Sequence, residues 1–166
     1  HLASNPSKMT TNSYCASIQK NFGVDMSYNV AVVGATGNVG REIINILAER
    51  NFPIDRLYPL ASSKSQGKKL SFGDKVVEVQ NLANFDFSKA DLALFSAGGN
   101  VSAEYAPIAA KHCVVVDNRS CFRMFDDVPL IVTEVNIDAI SSYKKRNIVS
   151  NPNCAVMELL VALKPL

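Results

Sequence analysis

The stretch Tyr28–Gly40, Tyr-Asn-Val-Ala-Val-Val-Gly-Ala-Thr-Gly-Asn-Val-Gly, constrains the fold more than any other part of the chain. A short apolar, β-branched run stops at a glycine, and two more follow at three-residue intervals. Gly34, Gly37 and Gly40 thus place three of the eight glycines within seven residues. The pattern predicts a buried strand, a tight turn and a helix. Gly34 permits the turn, Gly37 lets the backbone approach a pyrophosphate, and Gly40 lets helix and strand pack closely. The helix N-terminus then faces the phosphates with free N–H groups and the positive end of its dipole. Three spaced glycines alone also describe an ordinary structural turn; the runs on either side favour a dinucleotide site. From Val39 to Arg50 the helical period puts Val39, Ile43, Ile46 and Leu47 on one apolar face. Candidate cofactor contacts on this loop are Gly34, Thr36, Gly37, Asn38 and Val39.

Beyond this unit, strands and helices alternate. Strands are expected near Arg56–Leu60 and over Asp91–Ser96, Val114–Asp117, Leu130–Val132 and Asn147–Val149. A hairpin or edge excursion is expected over Leu70–Val79, where Phe72-Gly73-Asp74-Lys75 is a turn signal. Helices are expected over Val101–His112, kinked or restarted by Pro107, over Ile137–Tyr143, and over Cys154–Leu163, with Val156, Leu159, Leu160 and Leu163 on its buried side. The alternation predicts an α/β fold: a doubly wound, mostly parallel, Rossmann-like sheet in a single domain, without internal repeats. Ligands in such sheets sit beyond the carboxyl ends of the strands. The loops Gly34–Gly40, Ala61–Lys69, Ser96–Asn100, Asn118–Arg123 and Asn151–Cys154 all fall there and read as one composite site, with Ser96, Ala97 and Gly98 as further cofactor contacts.

The 166 residues suffice for one domain with a real core. Residues 1–25 are polar and lack periodicity, and read as a flexible extension; 26–166 reads as the dinucleotide-binding domain, closed by the cysteine-bearing helix. The extension has no apolar core of a secretory signal, and no arginine precedes Arg41. A net charge of +2 and the short runs Lys68-Lys69 and Lys144-Lys145-Arg146 read as solvated faces, not as a nucleic-acid patch. No apolar run nears the ~20 residues that span a bilayer. The four cysteines, Cys15, Cys113, Cys121 and Cys154, form no C-x-x-C pair. That argues against zinc and against a disulfide framework, and for a reducing, cytoplasmic compartment.

Two loops carry the choice of cofactor and the chemistry. An acidic residue after the second strand would select NAD by binding the ribose 2′-hydroxyl. Here the segment Ala61–Lys68 offers hydroxyls and lysines and no carboxylate. Ser62, Ser63 and Lys64 can hold a 2′-phosphate, so NADP is the expected cofactor, the other reading being a mobile polar loop. The run Ser150-Asn151-Pro152-Asn153-Cys154 precedes an apolar helix, which Asn151 or Asn153 can cap, and places Cys154 in the first turn. There the dipole and free N–H groups favour a thiolate, which beside a nicotinamide suggests aldehyde chemistry through a thioester. A buried, inert cysteine is the competing reading; Cys113 and Cys121 read as core or loop residues.

From Tyr28 to Leu166 the chain closely resembles the N-terminal part of the aspartate-semialdehyde dehydrogenase family. The resemblance rests on Gly34–Gly40, Ala61–Gly67, Phe95–Gly99, Val115–Ser120, Phe122–Met124, Asp127–Leu130, Glu134–Asn136 and Asn151–Cys154, in that order. It implies NADPH-dependent conversion of aspartyl phosphate to aspartate semialdehyde, on the way to lysine, threonine and methionine. It also implies Cys154 as nucleophile, with Arg123 and Asn153 as ligands of the substrate phosphate; a guanidinium fork matches phosphate oxygens. On the residues alone, Arg123 reads as a surface ion pair. Lys64 stands where the family often has arginine, and Thr133 where proline is frequent. The family's glutamine, its substrate-carboxylate arginine and its acid–base histidine follow the cysteine helix. The resemblance therefore implies that the substrate and dimerisation domain is absent from these 166 residues. The resemblance likewise implies that the full-length protein forms a homo-oligomer. Of the two histidines, His1 lies in the extension and His112 reads as a helix C-cap, so this chain is expected to bind NADP(H) without turning over.

Two alternatives stay open. One is a relative of N-acetylglutamyl-phosphate reductase, a family that usually has glycine before the cysteine, where Asn153 stands here. The other is a non-catalytic nucleotide-binding module. A short-chain reductase is excluded, because no tyrosine has a lysine four residues on.

Overall fold

The structure, a computed structural model, describes residues 27–165. The extension over 1–25, with His1 and Cys15, lies outside the described residues, as do Met26 and Leu166.

Six parallel strands form the central sheet: β1 (Tyr28–Val33), β2 (Ile54–Ala61), β5 (Gln80–Asn81), β6 (Leu92–Phe95), β7 (Val114–Asp117) and β8 (Ile148–Ser150). Their spatial order is β5-β2-β1-β6-β7-β8. The chain winds outward through β2, returns to β6 and winds the other way. The direction therefore reverses between β1 and β6, where crevices open in doubly wound sheets. An antiparallel hairpin, β3 (Lys69–Phe72) and β4 (Lys75–Glu78), turns at Gly73-Asp74 as expected; Gly73 takes a left-handed φ of 55°.

Alternation along β1 divides the core between the two faces. Val30 and Val32 pack with Ile44 of helix α1 (Asn38–Glu49), and Leu70 and Phe72 of the hairpin cover the same cluster. Ala31 and Val33 face the other way, with Phe95, Val115 and the Ala106 and Ala109 of helix α2 (Gly99–Ala109). A strand buried on both faces has to be apolar at every position, which is what Val30–Val33 supply.

Several local expectations give way to packing. The buried line of α1 runs through Gly40 and Ile44, with Ile43, Ile46 and Leu47 half-buried, while Val39 is 41% exposed. The helix docks where the missing side chain of Gly40 lets it lie against the Gly34 carbonyl, and this turns Val39 outward. Helix α2 starts at Gly99 and runs through Pro107 without restarting. Pro107 and Ala103, whose carbonyl loses its partner, both lie on the exposed side, where water can take the lost bond. Its C-cap is Ala110, so His112 sits in the exposed turn before β7 rather than capping. Residues 130–132 form no strand: Leu130 makes one isolated bridge to Ser150, and Val132 caps the single turn α3 (Thr133–Asn136). The short helix expected over Ile137–Tyr143 is present as a 3-10 segment, Ile137–Lys145.

Helix α4 (Cys154–Leu163) has the expected bounds but none of its residues is buried. Val156, Leu159 and Leu163 are 44%, 56% and 50% exposed, and Leu160 is only half-buried. Among the described residues α4 is tied mainly to α3, where Lys164 Nζ donates to the Val135 carbonyl at 3.1 Å. The apolar period is real, but no described element lies over it. No helix of the described residues is long and apolar enough to cross a membrane.

Candidate active site

The glycine turn is built by close approach of backbone to backbone. Gly34 has φ +85°, and a Cβ there would lie 2.7 Å from the Ala97 nitrogen, so β1 and β6 can meet at their ends only through glycine. Ser96 secures the junction: 5% exposed, it donates from Oγ to the Val33 carbonyl at 2.9 Å. That hydroxyl is therefore committed to the fold, and Ser96 shapes the crevice floor instead of offering a free donor. Gly37 differs from its neighbours. A Cβ there would meet only the Gly34 carbonyl, at an ordinary 3.4 Å, with open space elsewhere.

The helices after β1 and β6 both begin at a glycine, Gly37 and Gly98. Neither has a side-chain cap, and neither carries an acidic residue in its first turn. Their leading N–H groups and dipoles flank the reversal point, a ready anion site. Thr36 is half-buried, and Asn38, Val39 and Gly98 are exposed there. At the end of β2, Ser62, Ser63 and Lys64 are exposed on an ordered turn. Ser65 N donates to the Ser62 carbonyl at 2.9 Å, and Gly67 N pins the loop to the Val79 carbonyl at 2.9 Å.

On the other side of the reversal point, β7 and β8 present the loops 118–123 and 151–154. Cys154 is exposed at the first position of α4. Asn153 is the cap: its Oδ1 accepts from Ala155 N at 3.0 Å and from the Cys154 thiol at 3.7 Å. Its NH2 group makes no hydrogen bond among the described residues. Arg123 reaches this loop from β7. Its Nε donates to the Asn151 carbonyl at 2.8 Å, and its terminal nitrogens take no carboxylate partner among the described residues. The ion pair found among the described residues is Arg146–Asp127, so Arg123 is not used in that way. Sequence-predicted residues thus follow one edge of the sheet: Ser62–Lys64, Gly34–Val39, Ser96–Gly98, Arg123, then Asn153–Cys154. From β2 to β8 this is four strand spacings, about 19 Å.

The remaining described cysteines are poor nucleophiles. Burial pushes the Cys113 thiol up to about 11, and it also raises that of half-buried Cys121. Sequence reasoning gave no role to two groups in the crevice. Arg119 places Nε and Nη2 on the Ser96 carbonyl. Asp117, fully buried at the end of β7, accepts from Ser102 Oγ at 2.9 Å and from Arg119 N at 3.2 Å. Burial holds its carboxyl above the ordinary range, against the opposing hydrogen bonds and the two nearby arginines, Arg123 and Arg119. A carboxylate closing an otherwise all-valine strand was the signal for it. A cleft of mixed polarity, lined by Gln66, Glu78, Val79, Gln80, Asn84 and Phe85, lies on the β5 side and contains none of the predicted site residues.

A parallel sheet that reverses at a glycine turn, with two uncapped helix ends beside it, defines a Rossmann-type dinucleotide-binding domain. Residues 29–143 match the family described as semialdehyde dehydrogenase, NAD binding domain, and the chain belongs to that family. It is 59% identical over 139 residues to an aspartate-semialdehyde dehydrogenase of Legionella pneumophila, covering 83% of this chain and 40% of the relative. Among solved structures it resembles aspartate semialdehyde dehydrogenase II of Vibrio cholerae complexed with ASA. The TM-score is 0.83 at 52% identity, over 84% of this chain and 47% of that one. It also resembles the Candida albicans aspartate semialdehyde dehydrogenase with NADP, with TM-score 0.70 at 25% identity over 84% of this chain and 46% of that one. The chain spans about two fifths of the length of the curated relatives it matches.

Proposed function

We propose that the chain is the cofactor-binding and nucleophile-bearing part of an NADP-dependent aspartate-semialdehyde dehydrogenase. The observation that carries this reading is the hydrogen bond from Arg123 to the Asn151 carbonyl of the loop that carries Cys154, at the same sheet edge as the glycine turn. Gly37, with open space above it, and the two uncapped helix ends fit a pyrophosphate. Ser62, Ser63 and Lys64, with no carboxylate among them, fit a 2′-phosphate. The Candida relative with NADP supports the same choice.

In this reading Arg123 and the Asn153 NH2 group hold the phosphate of aspartyl phosphate, and the Cys154 thiolate attacks the acyl carbon. The S–C bond forms, the C–O bond to phosphate breaks, and the aspartyl group is left as a thioester on Cys154. Asn153 keeps the sulfur at the helix end, and Arg123 carries the charge of the leaving phosphate. The nicotinamide, when bound, supplies the hydride that converts the acyl group to the aldehyde. The described site offers no histidine near Cys154, His112 lying in the α2–β7 turn. We therefore expect these 166 residues to bind cofactor and anion without measurable turnover.

Fluorescence titration should show NADPH binding about tenfold tighter than NADH, with Lys64→Ala narrowing the gap. Inorganic phosphate should slow alkylation of Cys154 by iodoacetamide, and Arg123→Ala should abolish that protection. Equal affinity for the two nucleotides would remove the NADP assignment. An unprotected Cys154 would remove the anion site. A substantial rate with aspartate semialdehyde, phosphate and NADP would overturn the expected inactivity.

A further inference from the structure

Asp117 is the one carboxylate wholly enclosed among the described residues, and it joins three crevice elements. Oδ1 accepts from Ser102 Oγ in the first turns of α2 and from the backbone N–H of Arg119. Its main-chain carbonyl, independently of the side chain, continues the β7–β8 ladder by accepting from Asn151 N at 3.0 Å, at the root of the Cys154 loop. Oδ2 has no partner, and neither does Ser150 Oγ, which is also fully buried. Asp117 and Ser150 are paired in the β7–β8 register, so their side chains stand on the same face of neighbouring strands, about 5 Å apart. Two buried orphan atoms side by side are costly unless they complete each other's hydrogen bonding.

The guanidinium groups of the nearby arginines make no hydrogen bond to this carboxyl. Arg119 gives its fork to the Ser96 carbonyl and Arg123 its Nε to the Asn151 carbonyl, each bonding the backbone of a crevice loop. Asp117 therefore sits beneath both arginines as a hydrogen-bonding hub, not as a member of an ion pair. Resting on the function proposed above, we propose that Asp117 is a positioning residue. Through hydrogen bonds and not through charge, with Oδ2 completed through Ser150, it holds the start of α2, the Arg119–Arg123 loop and the Cys154 loop in one arrangement.

The test uses the whole chain and two readouts: the NADPH dissociation constant, and the phosphate concentration that half-protects Cys154 from iodoacetamide. Asp117→Asn keeps the acceptor and puts a donor toward Ser150, so both values should stay within about twofold of wild type. Asp117→Ala should raise both about tenfold, the loss of one or two buried hydrogen bonds. If Asp117→Ala does not fold, Ser102→Ala, which removes a single bond to the same oxygen, should still raise both about threefold. Rescue by asparagine together with a deficit in Ser102→Ala supports the proposal. Unchanged values in Ser102→Ala, or an Asp117→Asn variant as impaired as Asp117→Ala, would overturn it. Absence of phosphate protection in the wild-type chain would instead sink the functional reading, and this proposal with it.

Discussion

The three glycines of the first loop have identical spacing but different physical duties. Gly34 and Gly40 lie where any Cβ would strike backbone, Ala97 in one case and Gly34 in the other, and backbone cannot give way as a side-chain tip can. Gly37 has room around it. We expect Gly40→Ala to cost about 3 kcal/mol or more, through overpacking that the strand–helix contact cannot relieve. Gly37→Ala should cost under about 1 kcal/mol of stability yet weaken NADPH binding about tenfold, because its methyl would occupy the pyrophosphate approach. Urea midpoints and nucleotide titrations of the two variants separate the cases. Equal destabilisation by both would mean that Gly37 is structural.

At the scale of elements, the three helix starts facing the crevice divide into two kinds. Those at Gly37 and Gly98 are bare, while the one at Asn153 is capped by a side chain that also touches the Cys154 thiol. In the proposed function this cap both holds the helix end and presents its amide toward the substrate phosphate. Asn153→Asp separates these functions. The aspartate caps as well as asparagine, so the unfolding midpoint should hold within about 0.5 kcal/mol. The added negative charge should abolish phosphate protection of Cys154 in the alkylation assay. Retained protection would show that Asn153 serves the helix alone.

For the whole molecule, the pH dependence of stability sums opposing groups. Asp117, its carboxyl held above the ordinary value of 3.8 by burial, favours the fold while protonated. That contribution is complete below the unfolded value and is lost as pH rises through the folded one. Asp86, Asp127 and Glu134 act in the opposite sense. Hydrogen bonds from Ser88, Arg146 and Thr133 hold them low, so their contribution is present above the unfolded value and fades as pH falls. They lie at the surface and are screened, so Asp117 should be visible by difference. The stability of Asp117→Asn relative to wild type should increase as pH rises from about 4, measured as urea midpoints across that range. A flat or falling difference would mean that the arginines overcome burial. On the same scale, the uncovered apolar side of α4 leaves the described fold less closed than its sheet suggests.

How much of this was legible depends on whether the deciding contacts are local. The β1 strand, the glycine turn, the Gly73-Asp74 hairpin and the bounds of α4 follow from patterns within a dozen residues: β-branched runs, turn chemistry and a capping asparagine. The placing of the site loops on one sheet edge followed equally from βα alternation, since a right-handed crossover leaves little choice. The outward turn of Val39 on α1 and the exposure of α4 did not follow, because a helical period marks an apolar stripe but not what lies opposite it. Gly40 rotates α1 by its contact with Gly34, and no described element covers α4. The Ser96 hydroxyl, the Arg119 fork and the Ser102–Asp117 bond join residues more than a dozen positions apart. Only the assembled sheet brings such partners within hydrogen-bond reach.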